Sequence, residues 1–335
     1  MHYLFLDFYR YLAALIVSIS HFFIYWNNSN FFELTSILGV ELFFVLSGFV
    51  LASQLLKLEE DPKKNLKIFL FRRWIRTVPP YLVALICAAI VFDYGDKLNF
   101  LKFLTYTQNI LSDNSNPNFF SVAWSLSVEE WFYIFLPLLI LIGTKIKLRI
   151  LKFNTINICI LIIIFLNLFR LYYNNEDLNW GEDVRRSVLL RLDSLCFGVI
   201  AFTLKDKIKL KYIYFLLFLT MIPLFYFLIK PLLINESLFF KNLFMPLCSI
   251  CFSSILIILT HINFNSKIIK KISFNGASIS YSMYLFHIFF IPITVNLFDN
   301  IILSLLSYML FLKLFCWIFF RIFEKPLLES RPNYI

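Results

Sequence analysis

The chain has 335 residues, 60% of them hydrophobic and 16% charged, with a mean hydropathy of +0.77 and a formal net charge of +10. Because about a quarter of the residues in soluble domains are charged, this composition excludes a water-soluble globular protein. The basic residues concentrate in short connections between apolar segments, which is typical of a membrane protein and gives no support to nucleic-acid binding.

Apolar segments recur along the whole chain, each close to the roughly 20 residues that cross about 30 Å of hydrocarbon as a helix. They predict an all-α fold, a polytopic transmembrane bundle of about ten spans. The predicted spans are 8–26, 34–56, 74–92, 124–143, 156–173, 188–204, 212–229, 239–260, 277–297 and 301–321. No linker divides them, so we expect one membrane-embedded domain over residues 1–335.

The positions of Lys and Arg predict that both termini lie in the cytosol. In that orientation the cytosolic connections hold 21 of the 31 Lys and Arg residues, and the outer segments hold eight. This bias fits the positive-inside rule and basic loops that face an anionic lipid leaflet. The predicted cytosolic connections are 57–76, 144–155, 205–211, 261–275 and 321–335.

The cysteines give no sign of a metal or a disulfide. All six fall within predicted spans, and Cys248 and Cys251 have no second CxxC or histidine pair at zinc spacing. They are interpreted as small apolar residues, and no metal is expected.

Ionisable side chains within a span are costly, so each needs a partner, a wet cavity or a function. In the first helix, Asp7 and Arg10 are three residues apart and can pair on one face. His21 lies about 16 Å further along the axis, in the outer half of the bilayer. The alternatives are a site, or a snorkelling ion pair with a buried histidine that forms interhelical hydrogen bonds.

The second helix carries Glu41 about 10 Å from its predicted outer end, at a depth close to that of His21. The alternative for Glu41 is a charge at the membrane interface. Ser47 and Gly48 follow it and are interpreted as a patch that lets helices approach closely.

Three arginines, Arg72, Arg73 and Arg76, lie in the connection before the third predicted span. The positive-inside rule predicts basic residues here, but lysine would serve orientation equally well. Because the planar fork of arginine suits phosphate recognition, we expect these residues to bind a cytosolic anionic cofactor.

The fourth span opens with Trp124 and continues through Glu129, Glu130 and Tyr133. Two adjacent glutamates near the outer boundary are hard to explain by packing, which favours a functional role. Neighbours on a helix point about 100° apart, so at most one of them faces a given partner.

Two further polar sets have structural alternatives. Arg191 and Asp193 open the sixth span and could form an ion pair that holds helices together. Tyr284 and His287 lie in the ninth span, and His287 could also be structural.

Five residues are the catalytic candidates. They are His21, Glu129, Arg10, Glu130 and Glu41. The histidine and the glutamates are predicted at similar depth, and a histidine beside a carboxylate is the arrangement for general-base catalysis. A cofactor held by its phosphates in the cytosol, with its reactive end in the bundle, would join them to the arginines.

Short motifs run in order from residue 6 to residue 326. They are Leu6-Asp7-x-x-Arg10-x10-His21, Gly39-Val-Glu41-Leu-Phe-Phe-Val-Leu-Ser47-Gly48-Phe49, Arg72-Arg73-x-x-Arg76, Trp124-Ser-Leu-x-x-Glu129-x-x-Phe132-Tyr133-x-x-x-Pro137, Arg191-x-Asp193 with Gly198, Tyr281-Ser-x-Tyr284-Leu-x-His287, and Glu324-Lys325-Pro326. This ordered set resembles the acyltransferase-3 family of membrane O-acyltransferases. The departures are Phe8 and Tyr11, where the family commonly has glycine, and Glu41, where aspartate is common.

The resemblance implies an acyl-CoA co-substrate, usually acetyl-CoA, supplied from the cytosol, and transfer of its acyl group to a glycan hydroxyl at the outer face. By matching position, His21 would be the catalytic histidine and Arg10 its motif partner, and Glu129 would orient or assist the base. Arg72, Arg73 and Arg76 would bind the donor phosphates. Whether the histidine is a general base or a transient acyl carrier stays open. The soluble esterase-like domain that follows the membrane part in some members is not expected here.

A transporter or acyl-shuttling component, and a scaffold of a polysaccharide assembly system, are the alternative functions. The expected location is the inner membrane of a bacterium. The acceptor is left open among O-antigen, lipid-linked sugar, capsule, exopolysaccharide and small lipids, because outer residues such as Arg185 and Arg186 do not define it. Oligomeric state is not predicted.

Overall fold

The computed structural model describes residues 4–93, 95–111, 119–145, 154–174, 178–231, 237–262 and 266–332, and in these ranges it consists of helices and the turns that join them. The α-helices are α1 Leu4–Asn27, α2 Asn30–Glu60, α3 Pro62–Val91, α4 Lys97–Leu104, α5 Ala123–Gly143, α6 Thr155–Tyr173, α7 Leu192–Leu204, α8 Leu210–Ile229, α9 Leu238–Thr260, α10 Lys267–Leu297, α11 Ile301–Phe319 and α12 Lys325–Glu329. Shorter turns are Trp180–Arg185 and Phe320–Glu324, both π-helical, and Val188–Leu190, a 3-10 turn. Residues 146–153, 263–265 and 333–335 of the predicted cytosolic connections lie outside the described ranges.

Nine helices in the described part of the chain are long and apolar enough to cross a membrane, at nine of the ten predicted positions. The bundle is therefore the all-α polytopic membrane protein that the composition predicts. Helices α6, α8 and α11 turn large apolar side chains outward, as a lipid-facing surface requires. Examples of these exposed residues are Phe165, Phe218, Ile222 and Leu310.

The one predicted span without such a helix, the sixth at 188–204, has a different form. It begins with the 3-10 turn and continues as α7, whose 13 residues extend about 20 Å at 1.5 Å per residue. Most of α7 is buried between α2, α6 and α9. Broken backbone at this depth is tolerated because protein, not lipid, surrounds it.

Helix α2 is the centre of the bundle and contacts α1, α3, α5, α7 and α9. Its closest neighbour is α7, where a Cβ on Gly48 would collide with the carbonyl oxygen of Leu195 and a Cβ on Gly198 with that of Val45. The predicted close-packing role is confirmed for Gly48. Ser47, in contrast, faces a cavity on the other side of α2.

Two buried ion pairs fix α7 in the bundle. Arg191 binds the carboxylate of Glu41, and Arg170 of α6 binds Asp193. Ser194 also donates to Glu41, at 3.1 Å. The alternative that Arg191 and Asp193 pair with each other is not what the structure has, because neighbours two residues apart on a helix point in different directions. Each side chain instead reaches a charge on another helix.

Candidate active site

Helix α1 defines the two sides of the bundle: it begins on the inner side, which the charge bias predicts to be cytosolic, and ends on the outer side. Helix α10 runs parallel to α1, since Tyr11 packs on Gly276 and His21 on His287. Helix α2 runs the opposite way, since Ser20 near the end of α1 bonds to Thr35 near the start of α2 at 2.8 Å. Helix α5 runs parallel to α2, since Trp124 packs on Phe44 and Glu129 bonds to Ser47.

A cavity lies between α1, α2, α3, α5 and α10. Its walls mix apolar side chains with charged and hydroxyl groups from all five helices. The polar residues that line it are Arg10, Ser47, Arg73, Arg76, Thr77, Ser125, Glu129, Tyr133, Ser280, Tyr281 and Tyr284. It is thus a polar chamber within an otherwise apolar bundle.

The inner end of the cavity is basic. Arg10, Arg73 and Arg76 line it, and Arg10 pairs with Asp7 at 3.6 Å, as their spacing predicts. The arginines predicted for a connection lie within α3, because that helix starts at Pro62 rather than near residue 74. Arg72 does not line the cavity; it donates to the carbonyl oxygen of Pro332.

A further arginine, Arg331, joins this basic group from the segment after α12. Its Nε and Nη2 atoms are buried and make no hydrogen bond. Burial and the nearby Arg76, Arg73 and Arg72 lower the pKa of Arg331 to about 9. In the sequence, Arg331 is only one of the basic residues of the predicted cytosolic connection 321–335, since it belongs to no motif.

Glu129 lies across the cavity from the arginines of α3 and interacts electrostatically with Arg73 and Arg76. Its carboxylate accepts hydrogen bonds from Ser47 Oγ at 2.5 Å and Tyr133 OH at 3.0 Å. Glu130 does not line the cavity, as the angle between neighbours on a helix predicts.

In the middle of the cavity, Ser125 Oγ and Tyr284 OH lie 2.5 Å apart. Tyr281 OH donates to the carbonyl oxygen of Thr77 at 2.8 Å, which ties α10 to α3. These bonds fix the walls between the basic inner end and the histidines on the outer side.

Just outward of Tyr284, two histidines are in contact. His21 Nδ1 and His287 Nε2 lie 2.6 Å apart, and the rings stack with centroids at 4.9 Å. His287 Nδ1 is 2.8 Å from the carbonyl oxygen of Tyr284. A carbonyl only accepts, so His287 Nδ1 carries the hydrogen, and its neutral ring offers Nε2 as an acceptor. His21 must then donate from Nδ1, which leaves its Nε2 as the basic nitrogen.

The sequence predicts that His21 and the glutamates lie at similar depth in the bilayer, and the structure corrects this prediction. Glu41 is bound to Arg191 and lies deeper, since α2 begins at Asn30, four residues before the predicted start. Glu129 is four residues inward of Ser125 on α5, and His287 is three residues outward of Tyr284 on α10, a separation of about 10 Å. His21 therefore has a histidine partner where a carboxylate was expected.

The outer end of α5 explains the error for Glu129. Trp124 is buried and its carbonyl oxygen accepts from Asn109 Nδ2 at 3.0 Å. The helix thus starts inside the protein beneath an outer turn, not at the membrane boundary. Among the described residues, no group of three or more His, Cys, Asp or Glu side chains could hold a metal ion.

Comparison with known proteins decides the family. The model of the acyltransferase domain family, Acyl_transf_3, matches residues 3–321. The chain belongs to this acyltransferase family. The match covers both the basic end of the cavity and the histidine pair, but it stops short of Arg331.

Relatives in this family are named as O-acetyltransferases. A Staphylococcus aureus (strain COL) protein with the name "Putative O-acetyltransferase" is 29% identical over 227 residues, 62% of this chain and 35% of that protein. The peptidoglycan O-acetyltransferase OatA of Listeria monocytogenes is 28% identical over 153 residues, 41% of this chain and 24% of that protein. The O-acetyltransferase OatA of another S. aureus strain is 26% identical over 227 residues, 62% of this chain and 36% of that protein.

The chain spans about a third of the length of the curated relatives it matches. No solved structure matches it.

One departure from the acyltransferase-3 pattern now has a physical explanation. Tyr11 stands beside Arg10 where the family commonly has glycine, and its ring packs where a side chain on Gly276 would lie. Lys313 Nζ lies 5.9 Å from the centroid of the same ring. The bulky residue is thus accommodated by α10 and α11, and Arg10 still lines the cavity.

Proposed function

We propose that this chain is a membrane O-acetyltransferase that moves an acetyl group from acetyl-CoA to a hydroxyl of a bacterial cell-surface glycan. The observation that carries the proposal is the cavity, basic at its inner end, with the His21–His287 pair just beyond its outer part. The names of the relatives, one of them a peptidoglycan O-acetyltransferase, support a glycan of the cell envelope as acceptor.

In this proposal the donor enters from the cytosol and residues 1–335 act as one membrane-embedded domain in the inner membrane. Arg73, Arg76 and Arg331 bind its phosphates, with Arg72 holding the C-terminal segment in place. Arginine suits this role because its fork forms charge-assisted hydrogen bonds with phosphate oxygens. The thioester then extends through the cavity toward Tyr284.

His21 acts at the other end as the general base. The acceptor hydroxyl gives its proton to His21 Nε2 while its oxygen attacks the thioester carbonyl carbon. The carbon–sulfur bond breaks, the acetyl group stays on the acceptor oxygen, and the sulfur of CoA leaves and takes up a proton. His287 acts as a positioning residue, because its Nε2 accepts from His21 Nδ1 and so stabilises the imidazolium that forms.

In this proposal Glu129 does not contact the base, His21, directly and has a different role. It lies at the basic end and is bonded to Ser47 and Tyr133. We assign it to the wall of the donor channel, where its negative charge offsets the positive charges of Arg73 and Arg76 when no donor is bound.

The test is acetyl-CoA turnover by the purified protein in lipid nanodiscs. We expect turnover that depends on a glycan acceptor, its loss in His21→Ala, and a raised KM for acetyl-CoA when Arg73 and Arg76 are both changed to Gln. A folded His21→Ala variant with wild-type activity would refute the base. Acetyl-CoA uptake without acetyl transfer would favour a transporter instead.

A further inference from the structure

Arg185 ends the π-helical turn Trp180–Arg185 on the outer side of the bundle. The backbone there is fixed, because Asn109 Nδ2 donates to the carbonyl oxygen of Arg186 at 2.6 Å and to that of Trp124 at 3.0 Å. π-Helical turns are rare and occur often at functional sites. The turn therefore holds Arg185 rigidly against the start of α5.

The side chain of Arg185 is buried and, among the described residues, has no carboxylate in ion-pair contact. It is only 6% exposed, its Cζ lies 5.2 Å from the centroid of the Trp124 ring, and its Nε makes no hydrogen bond. Within the described ranges no carboxylate forms an ion pair with it; Glu33 is exposed and acts from further away. By contrast, the buried Arg170 and Arg191 each bind a carboxylate.

Arg185 keeps its charge at neutral pH, since burial and the neighbouring Arg186 lower its pKa only to about 9. Arg185 and Arg186 are both close enough to act electrostatically on His21 and Tyr284. Two cations thus act on the histidine that is the base in the proposed function. A buried Arg185 with no ion pair among the described residues is unfavourable, so a ligand anion is the expected partner.

We propose that Arg185 and Arg186 bind an anionic group of the acceptor, a carboxylate or a phosphate, and so bring a nearby hydroxyl to His21. This inference rests on the proposed function, because it places the acceptor at the outer end of the cavity. It narrows the substrate class from glycans in general to acidic or phosphate-linked glycans. Guanidinium groups recognise both anions through paired N–H donors.

Two pairs of probes distinguish whether the anionic group is a carboxylate or a phosphate. Methyl glucuronide and its methyl ester differ only in the carboxylate, and glucose 1-phosphate and methyl glucoside differ in the phosphate. Affinity for each would be measured with the full chain in nanodiscs, from the wild type, Arg185→Gln, Arg185→Lys and the control Lys97→Gln. Lys97 is an exposed cation at the start of α4, also predicted to lie on the outer side.

We expect the wild type and Lys97→Gln to bind at least one anionic probe tenfold or more tightly than its neutral partner. Arg185→Gln should lose that difference and Arg185→Lys should keep part of it, with saturating CoA present. The probe pair that shows this difference identifies whether the bound anion is a carboxylate or a phosphate. Equal affinity for charged and neutral probes in the wild type, or displacement of the anionic probe by CoA, would overturn the inference without reliance on any variant's folding.

Acetyl-CoA turnover by the same samples distinguishes a failure of this inference from a failure of the proposed function. Turnover with no preference for anionic probes would overturn this inference and leave the proposed function standing. An absence of turnover in the wild type with every acceptor would overturn the proposed function itself.

Discussion

Replacement of His287 tests the link between the histidine pair and the proposed chemistry. His287→Phe removes the Nε2 acceptor 2.6 Å from His21 Nδ1 and keeps a ring of similar size. When His21 is protonated in the transition state, this bond is one to a charged group, worth about 1.5 to 3 kcal/mol. At about 1.4 kcal/mol per tenfold in rate, kcat should fall roughly 10- to 150-fold.

Steady-state acetyl transfer by nanodisc samples measures this effect. We expect the KM for acetyl-CoA to change less than twofold, because His287 lies away from the basic end. His287→Gln, which can still present an oxygen acceptor, should recover part of the rate. His261→Phe is the matched control, since His261 is exposed and its ring, among the described residues, bonds to the carbonyl oxygen of Lys205.

A folded His287→Phe protein with kcat within twofold of the wild type would refute the assigned tautomer chain. So would an equal loss of rate in His287→Phe and His287→Gln without loss of thermal stability, because the acceptor atom would then be irrelevant. Unfolding midpoints for all variants therefore accompany the kinetics.

Three further predictions follow from the charges. Arg331→Gln should raise the KM for acetyl-CoA about tenfold, with the exposed Lys325→Gln unchanged, and equal KM values in the two variants would count against a donor-binding Arg331. Arg191→Met should destabilise the protein by about 3 kcal/mol in thermal or detergent unfolding, and adding Glu41→Leu should restore most of this; no restoration would contradict the assigned pair. Acetyl phosphate should not replace acetyl-CoA as donor, since its phosphate cannot stay at the basic inner end while its acetyl group reaches His21, which lies about 16 Å from Arg10 along α1; comparable rates would refute the two-ended cavity.

Much of the fold could be predicted because each span must satisfy its own backbone within the bilayer, which makes long apolar runs reliable signals. The exception is 188–204, an apolar run of a length similar to the other predicted spans, in which the helix has only 13 residues. Its start is set by Arg191 and Asp193, whose partners, Glu41 and Arg170, lie on other helices. Such tertiary partners are not visible in a local pattern.

The site was predictable in its residue types but not in its contacts. The motifs identified Arg10, His21, Glu129 and His287, yet depth estimated from predicted helix ends put Glu129 beside His21. The true helix ends differ by several residues, and at 1.5 Å per residue this error is as large as the distances that decide catalytic contact. Arg331 was missed because the sequence after the last span carries no periodic signal.

Four of the described arginines divide into two groups by whether they form an ion pair, and the division bears on function. Arg170 and Arg191 each bind a carboxylate on another element, so their charges are neutralised within the fold and serve packing. Neither Arg331 nor Arg185 forms an ion pair within the described residues; Arg331 belongs to the basic group at the inner end, and Arg185 acts electrostatically on His21 at the outer end. Cations that form no ion pair within the described residues, one at each end of the proposed reaction path, suit a transfer between two anionic substrates, because each substrate supplies a counter-charge and is held in line with the base only when bound.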